Sequence, residues 1–140
     1  MKQTFMAIVA VLLFCLPVAL KAQDENKQPS VEELATKEAD RLADLLDLED
    51  WQLFYVDSTL HHDYEAMDAE LKDLQKAKVG NTDLYVAAQD RWMEQIEKKY
   101  KEVFTEDQWA KYLKSGAARA QKARAKRQEK AAKAAANGRK

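Results

Sequence analysis

His61 and His62 are the only imidazoles in this 140-residue chain. Asp57 stands four residues before His61 and Glu65 four after it. On a helix, donors at i, i+4 and i+8 share one face. One nitrogen and two carboxylates there would suit a zinc-like ion. A durable metal site wants at least three good ligands and a supporting shell. One imidazole with two flexible carboxylates is a thin set, and the competing reading is a solvated polar face. A second copy presenting the same face would enlarge the set. Catalysis has less to work with. The sequence holds no Gly-rich phosphate loop, and its carboxylates are spread along the chain. The expectation is a protein that is not an enzyme and needs no cofactor, with a zinc-like ion as the one alternative.

The other chemistry on offer is apolar adhesion. Trp51, Phe54, Tyr55, Tyr64, Tyr85, Trp92, Tyr100, Phe104, Trp109 and Tyr112 crowd one stretch of about 60 residues. Most belong in a core or a seam between subunits. Phe54 and Tyr55 lie off the apolar stripe Leu53–Val56–Leu60 and are expected on the surface. Exposed aromatics beside charges suit a weak, promiscuous binder.

Helices must position these residues. Pro29 and Gly80 are the only Pro and Gly in 23–113, which removes the turn signals a β fold needs. Apolar residues recur at steps of three or four: Leu53, Val56, Leu60, Tyr64, Met67, Leu71, Leu74, then Tyr85, Ala88, Trp92, Ile96, Tyr100, Val103. Gly80-Asn81 separates the two series, with Asn81, Thr82 or Asp83 able to cap the second. The spacing predicts a helical hairpin over 50–79 and 83–103. Ser30-Val31-Glu32-Glu33 is a capping box that opens a helix over 31–46, with Leu34, Leu42, Leu45 and Leu46 available for burial.

Two corners punctuate this pattern. In Phe104-Thr105-Glu106-Asp107-Gln108-Trp109, Thr105 is a strong N-cap and Gln108 sits three residues on. Hydroxyl and carboxamide can each bond the other's backbone amide, while Phe104 and Trp109 stand at the positions of a hydrophobic staple. Leu48-Glu49-Asp50-Trp51-Gln52 has a similar layout with Glu49 in place of the threonine, so Asp47 is a candidate cap there. The expected fold is all-α, with four helices at 31–46, 50–79, 83–103 and 105–115 or beyond.

The first 22 residues read as a leader to be removed. Lys2 precedes an uncharged apolar run from Phe5 to Leu20, and Ala22 suits a cut that leaves Gln23 first. The run is short for a spanning helix, which needs roughly 20 residues. Cys15 lies inside it, so the mature chain is expected to lack cysteine. That combination reads as an exported bacterial envelope protein. Residues 23–30 read as a flexible N-terminus, 31–115 as the helical domain and 116–140 as a basic tail.

Charge is split unevenly. Residues 23–113 carry 11 Lys/Arg against 23 Asp/Glu, a balance of −12; residues 114–140 carry 10 against Glu129 alone, a balance of +9. Ser115-Gly116 marks a break, and the Ala/Lys/Arg-rich sequence beyond it has no large apolar residue to dock. An isolated helix of that length is marginal in water, so a fraying solvated arm is expected. Its candidate contacts are anionic lipid, lipopolysaccharide or its own acidic body; nucleic acid is disfavoured, since no aromatics interleave the charges. The body alone is small enough for stability to be marginal without a partner, which suggests a homodimer.

A Leu-Thr-x-x-Gln corner used twice in a small exported helical protein resembles the Spy/CpxP family of bacterial periplasmic proteins. Phe104–Gln108 is similar to that motif with Phe for Leu, and Leu48–Gln52 matches it in part. The lead-in ADRLADLLDLEDWQ resembles envelope proteins of this kind. The resemblance covers about 31–113. It implies a thin hairpin with flanking helices that dimerises into a cradle. It also implies an ATP-independent chaperone or envelope-stress accessory for unfolded envelope proteins; a metal-binding branch of the family exists. The family's chaperones present a basic concave surface, whereas this body is acidic.

Overall fold

The computed structural model describes residues 28–138. The expected leader, with Cys15 and the expected cut near Ala22, lies outside that range, as do residues 23–27 of the expected flexible N-terminus. The fold is all-α: α1 Val31–Leu46, α2 Asp50–Lys76, α3 Thr82–Val103, α4 Glu106–Tyr112 and α5 Ala118–Asn137, the last two joined by a π-helical turn over Leu113–Ala117. No strand occurs among the described residues.

α1 starts at the expected box. The Glu33 amide donates to Ser30 Oγ (3.1 Å), and the Ser30 amide donates to Glu33 Oε2 (2.9 Å). Its buried stripe is Ala35, Ala39, Leu42 and Leu46, at steps of four, three and four. Leu34 and Leu45, expected in the core, are exposed at 44% and 37%. Each sits about 100° around the helix from its buried neighbour. The small alanines instead let α1 lie close on α2. Asp47 is no N-cap: it ends α1 in the left-handed region at φ 52°, while Glu49 takes the cap position of α2.

α2 and α3 form the predicted hairpin. α2 stops at Lys76, three residues short of expectation, and Lys78 rather than Gly80 adopts the left-handed turn at φ 53°. The Val79 amide reaches back to Leu74 O (3.1 Å) and the Lys78 amide to Gln75 O (2.9 Å), so the last carbonyls are satisfied. Asn81 caps α3 through its side chain (3.0 Å).

α2 has neighbours on two sides, α1 and α3. Its buried face is therefore centred on Gln52, Val56, Thr59, Leu60 and Asp63 rather than on the apolar series alone. The continuous core gathers at one end of the hairpin. There α1, α2, α3 and α4 converge on Leu42, Leu46, Val56, Leu60, Ile96, Tyr100, Phe104 and Tyr112. Tyr100 stacks on Phe104 (centroids 5.1 Å) and meets Tyr112 edge-on (5.7 Å). Beyond this core the hairpin is thin and held by polar clasps. Lys99 Nζ bonds both oxygens of fully buried Asp63 (2.9 and 2.8 Å), and Arg91 with Trp92 Nε1 holds Glu70.

The tail is not a fraying arm. At Gly116, φ 116° turns the chain, and α5 runs antiparallel along α3. It docks without large apolar residues. Buried Arg124 pairs with Glu97, Gln128 Nε2 donates to Glu94 (2.7 Å), and Arg127 grips Asp90 with two bonds of 2.7 Å. The Arg127 guanidinium is held above its ordinary pKa by that carboxylate.

Burial pushes the Tyr100 and Tyr112 hydroxyls well above the ordinary tyrosine value; neighbouring tyrosines add to this at Tyr100, and Glu97 adds to it at Tyr112. Tyr64 moves the same way, again chiefly through burial. The fold favours their neutral forms. Their contribution to stability is therefore complete below the unfolded value of about 10 and lost as pH climbs beyond it. In an alkaline titration, tyrosinate absorbance from these three residues should rise in one cooperative step together with loss of helical circular dichroism. Ionisation of all five tyrosines before any helix melts would contradict this packing.

Candidate client-binding surface and its supporting corner

The two corner motifs meet. At the second, the Gln108 amide donates to Thr105 Oγ1 (3.2 Å) and the Thr105 amide donates to Gln108 Oε1 (2.9 Å). At the first, the Glu49 amide donates to Gln52 Oε1 (3.0 Å), while the Glu49 carboxylate accepts from Trp51 Nε1 (2.6 Å). The two carboxamides then bond each other, Gln52 Nε2 to Gln108 Oε1 (2.7 Å) and Gln108 Nε2 to Gln52 Oε1 (3.0 Å). Each uses its second N–H on the end of a different helix. Gln52 donates to Val103 O of α3 (2.7 Å) and Gln108 to Leu46 O of α1 (3.3 Å). Every donor and both lone-pair directions of the two amides are engaged, as burial requires.

This cross-tie joins two helix ends to two helix starts. It satisfies carbonyls that α1 and α3 would otherwise leave bare. The remaining corner residues pack around it. Phe104 is buried, while Leu48 and Trp109 lie half-buried against the same core. Phe104 and Trp109 both contact Tyr112, at centroid distances of 6.1 and 5.4 Å, and Lys101 sits over the Trp109 ring (5.8 Å).

On the opposite side of the first α2 turns, the aromatics face solvent. Phe54 is 75% exposed, Trp51 56% and Tyr55 37%. Their spacing of i, i+3 and i+4 sets them side by side on one helix face. Asp47, Glu49 and Asp50 precede them and Asp57 follows within a turn, so the patch is rimmed by carboxylates. Leu45, at the end of α1, is also exposed. Covering a large aromatic from water is worth roughly 2–3 kcal/mol. Three of them support contacts that are useful but reversible.

Of the candidate metal residues, only Asp57 and His61 meet. His61 Nε2 lies 3.4 Å from Asp57 Oδ1 and 3.2 Å from Thr36 Oγ1 of α1. Glu65 is exposed and does not join them. His62 turns to buried Asp63 instead (2.8 Å). Among the described residues, no group of three His, Cys, Asp or Glu stands together as a metal site.

No family model, curated protein or solved structure matches the chain.

Several placements escape sequence reasoning. That Gln52 and Gln108 bond each other is not written in either motif, although their matching offsets from two caps hint at equivalent positions. Trp51 shares the face of Phe54 and Tyr55, a relation its i, i+3, i+4 spacing does carry. Asp63 is buried three residues after Leu60, where a carboxylate on an apolar face signals a cation across the interface.

Removing one carboxamide leaves its partner's amide and a helix-end carbonyl unsatisfied. Gln52→Ala is expected to cost about 2–3 kcal/mol, since each unmade bond to a buried group costs about 1–3 kcal/mol. Gln108→Ala should cost a similar amount. The double variant should fall short of the sum by about 1–2 kcal/mol. Urea unfolding of all four proteins gives the cycle, and strict additivity would show that the two amides do not depend on each other.

Proposed function

We propose that this chain is an exported, ATP-independent holder of unfolded proteins, acting in the periplasm as the Spy/CpxP resemblance implies. The observation that carries the reading is the patch of Trp51, Phe54 and Tyr55. It places large aromatic surface in solvent on a helix start whose backbone is anchored by Gln52. Within a single subunit there is no structural reason for leaving three aromatics uncovered. Contact with transiently exposed segments of other chains supplies a functional one.

The rim selects the client. Carboxylates around an apolar patch favour segments that mix apolar with basic residues and disfavour acidic ones. This differs from a basic concave surface and fits the −12 balance of residues 23–113. Binding is passive, driven by burial of apolar area and released when the client folds and withdraws its own. A homodimer would set two patches on one assembly and raise avidity without new contacts.

The protein should suppress light scattering by a denatured client at near-stoichiometric amounts. Trp51→Ser with Phe54→Ser should lose most of that effect while keeping helix content, because exposed substitutions generally move stability by less than about 0.5 kcal/mol. Equal scattering with and without the wild-type protein removes the proposal. Sedimentation of residues 23–140 should show a dimer at micromolar concentration.

A further inference from the structure

α5 has two opposed faces. Gln121, Arg124, Arg127 and Gln128 turn inward and are consumed by Glu97, Asp90 and Glu94 of α3. Arg119, Lys122, Lys126, Lys130 and Lys133 follow one another at steps of three, four, four and three. At 3.6 residues per turn four of them fall within about 40° of the direction opposite Arg124, while Lys130, about 60° off, stands at the rim of the cleft it lines with Asp83 and Asp90 of α3. They form a row about 21 Å long. Glu129, the single carboxylate of α5, pairs with Lys133. Among the described residues, Arg119, Lys122, Lys126 and Lys130 take part in no ion pair. All are exposed, and half of the residues between them are alanine.

We infer that this outward row is a docking surface for an anionic lipid bilayer, which α5 meets lengthwise while its other face stays on α3. A plane touches a helix along one face, and one face is what α5 has to give. Nucleic acid is the poorer occupant, since α5 carries no aromatic to stack on bases and its two glutamines are turned inward to Glu97 and Glu94. A second copy of the chain is a poorer fit. The acidic row Asp90, Glu94 and Glu97 is already covered by the copy's own α5. With no large apolar side chain on α5, attachment is adsorption rather than insertion. It is therefore sensitive to salt, since surface attraction fades beyond a Debye length. Asp90 and Glu97 are spent on Arg127 and Arg124, which leaves Arg119, Lys122 and Lys126 without a carboxylate partner. The acidic body is thereby held on the far side of α5 from the membrane. This inference stands apart from the chaperone reading, because it uses neither the aromatic patch nor the corner.

The test mixes the full chain with vesicles of phosphatidylglycerol and phosphatidylcholine in equal parts, and with phosphatidylcholine alone, followed by sedimentation. Binding should occur only to the anionic vesicles and fall steeply with added salt. A cation near an anionic surface is worth about five-fold in affinity, so Lys122→Glu, Lys126→Glu and Lys130→Glu together should weaken binding by at least about 100-fold. The corresponding Lys→Gln variant should lose less and retain α5 helicity. Client protection by either variant should match wild type, which separates this inference from the function proposed above. Equal binding to both vesicle types, or unchanged binding by the charge-reversed variant, overturns it. So does low-salt self-association that the variant abolishes without lipid, or equally tight binding of a DNA duplex.

Discussion

The structure depends on two glutamine side chains closing on each other. Gln52 and Gln108 are 56 residues apart in sequence, yet their carboxamides share two hydrogen bonds at the point where four helices meet. A small helical domain has few ways to fix the angle between successive helices. Apolar packing is tolerant of sliding, whereas an amide pair with every donor and acceptor engaged permits one arrangement. Around this tie sit the aromatic core of Tyr100, Phe104 and Tyr112 and the ends of α1 and α3. The hairpin can then extend well beyond the core as two helices, because its base does not rotate.

Local signals carried most of the fold. Ser30 with Glu33 and Thr105 with Gln108 name their helix starts, since a cap is a contact between residues three apart. The hairpin follows from apolar periodicity, and Gly116 marks the bend its flexibility suggests. The candidate surface was legible in Phe54 and Tyr55, which stand off the stripe. What stayed hidden involves partners distant in the chain. Leu34 and Leu45 look like core until Ala35 and Ala39 are seen to make the close contact. The early end of α2 is hidden for another reason: a left-handed Lys78 was chosen where Gly80 was available. Asp57, His61 and Glu65 share a face by spacing, but His61 has Thr36 of α1 beside it, so the helix pair rather than the helix decides its neighbours.

The basic tail shows a more general limit. Ala-rich sequence without large apolar residues predicts an undocked arm when burial is counted as the only adhesive. α5 is held instead by length-matched charge. Asp90, Glu94 and Glu97 recur along α3 as Arg127, Gln128 and Arg124 recur along α5. Exposed ion pairs are individually weak, but Arg124 and Glu97 are both nearly buried, where loss of one partner costs about 3–5 kcal/mol. The acidic body and basic tail are therefore not two separate electrostatic objects. Part of each is spent on the other, and the surplus of each faces away.

That division explains how so small a chain can keep several surfaces distinct. The aromatic patch lies on α2 at the glutamine corner, and the outward cations lie on α5, which leaves the core at Gly116 and runs along α3. Neither surface requires the other to be covered or moved. Rigidity at the corner matters most for the first. Flexible aromatics would collapse on themselves or on the core, whereas side chains on a capped, cross-tied helix turn are held in solvent. Three exposed aromatics are then compatible with a stable fold, because the interactions that hold α2 in place lie on its opposite face.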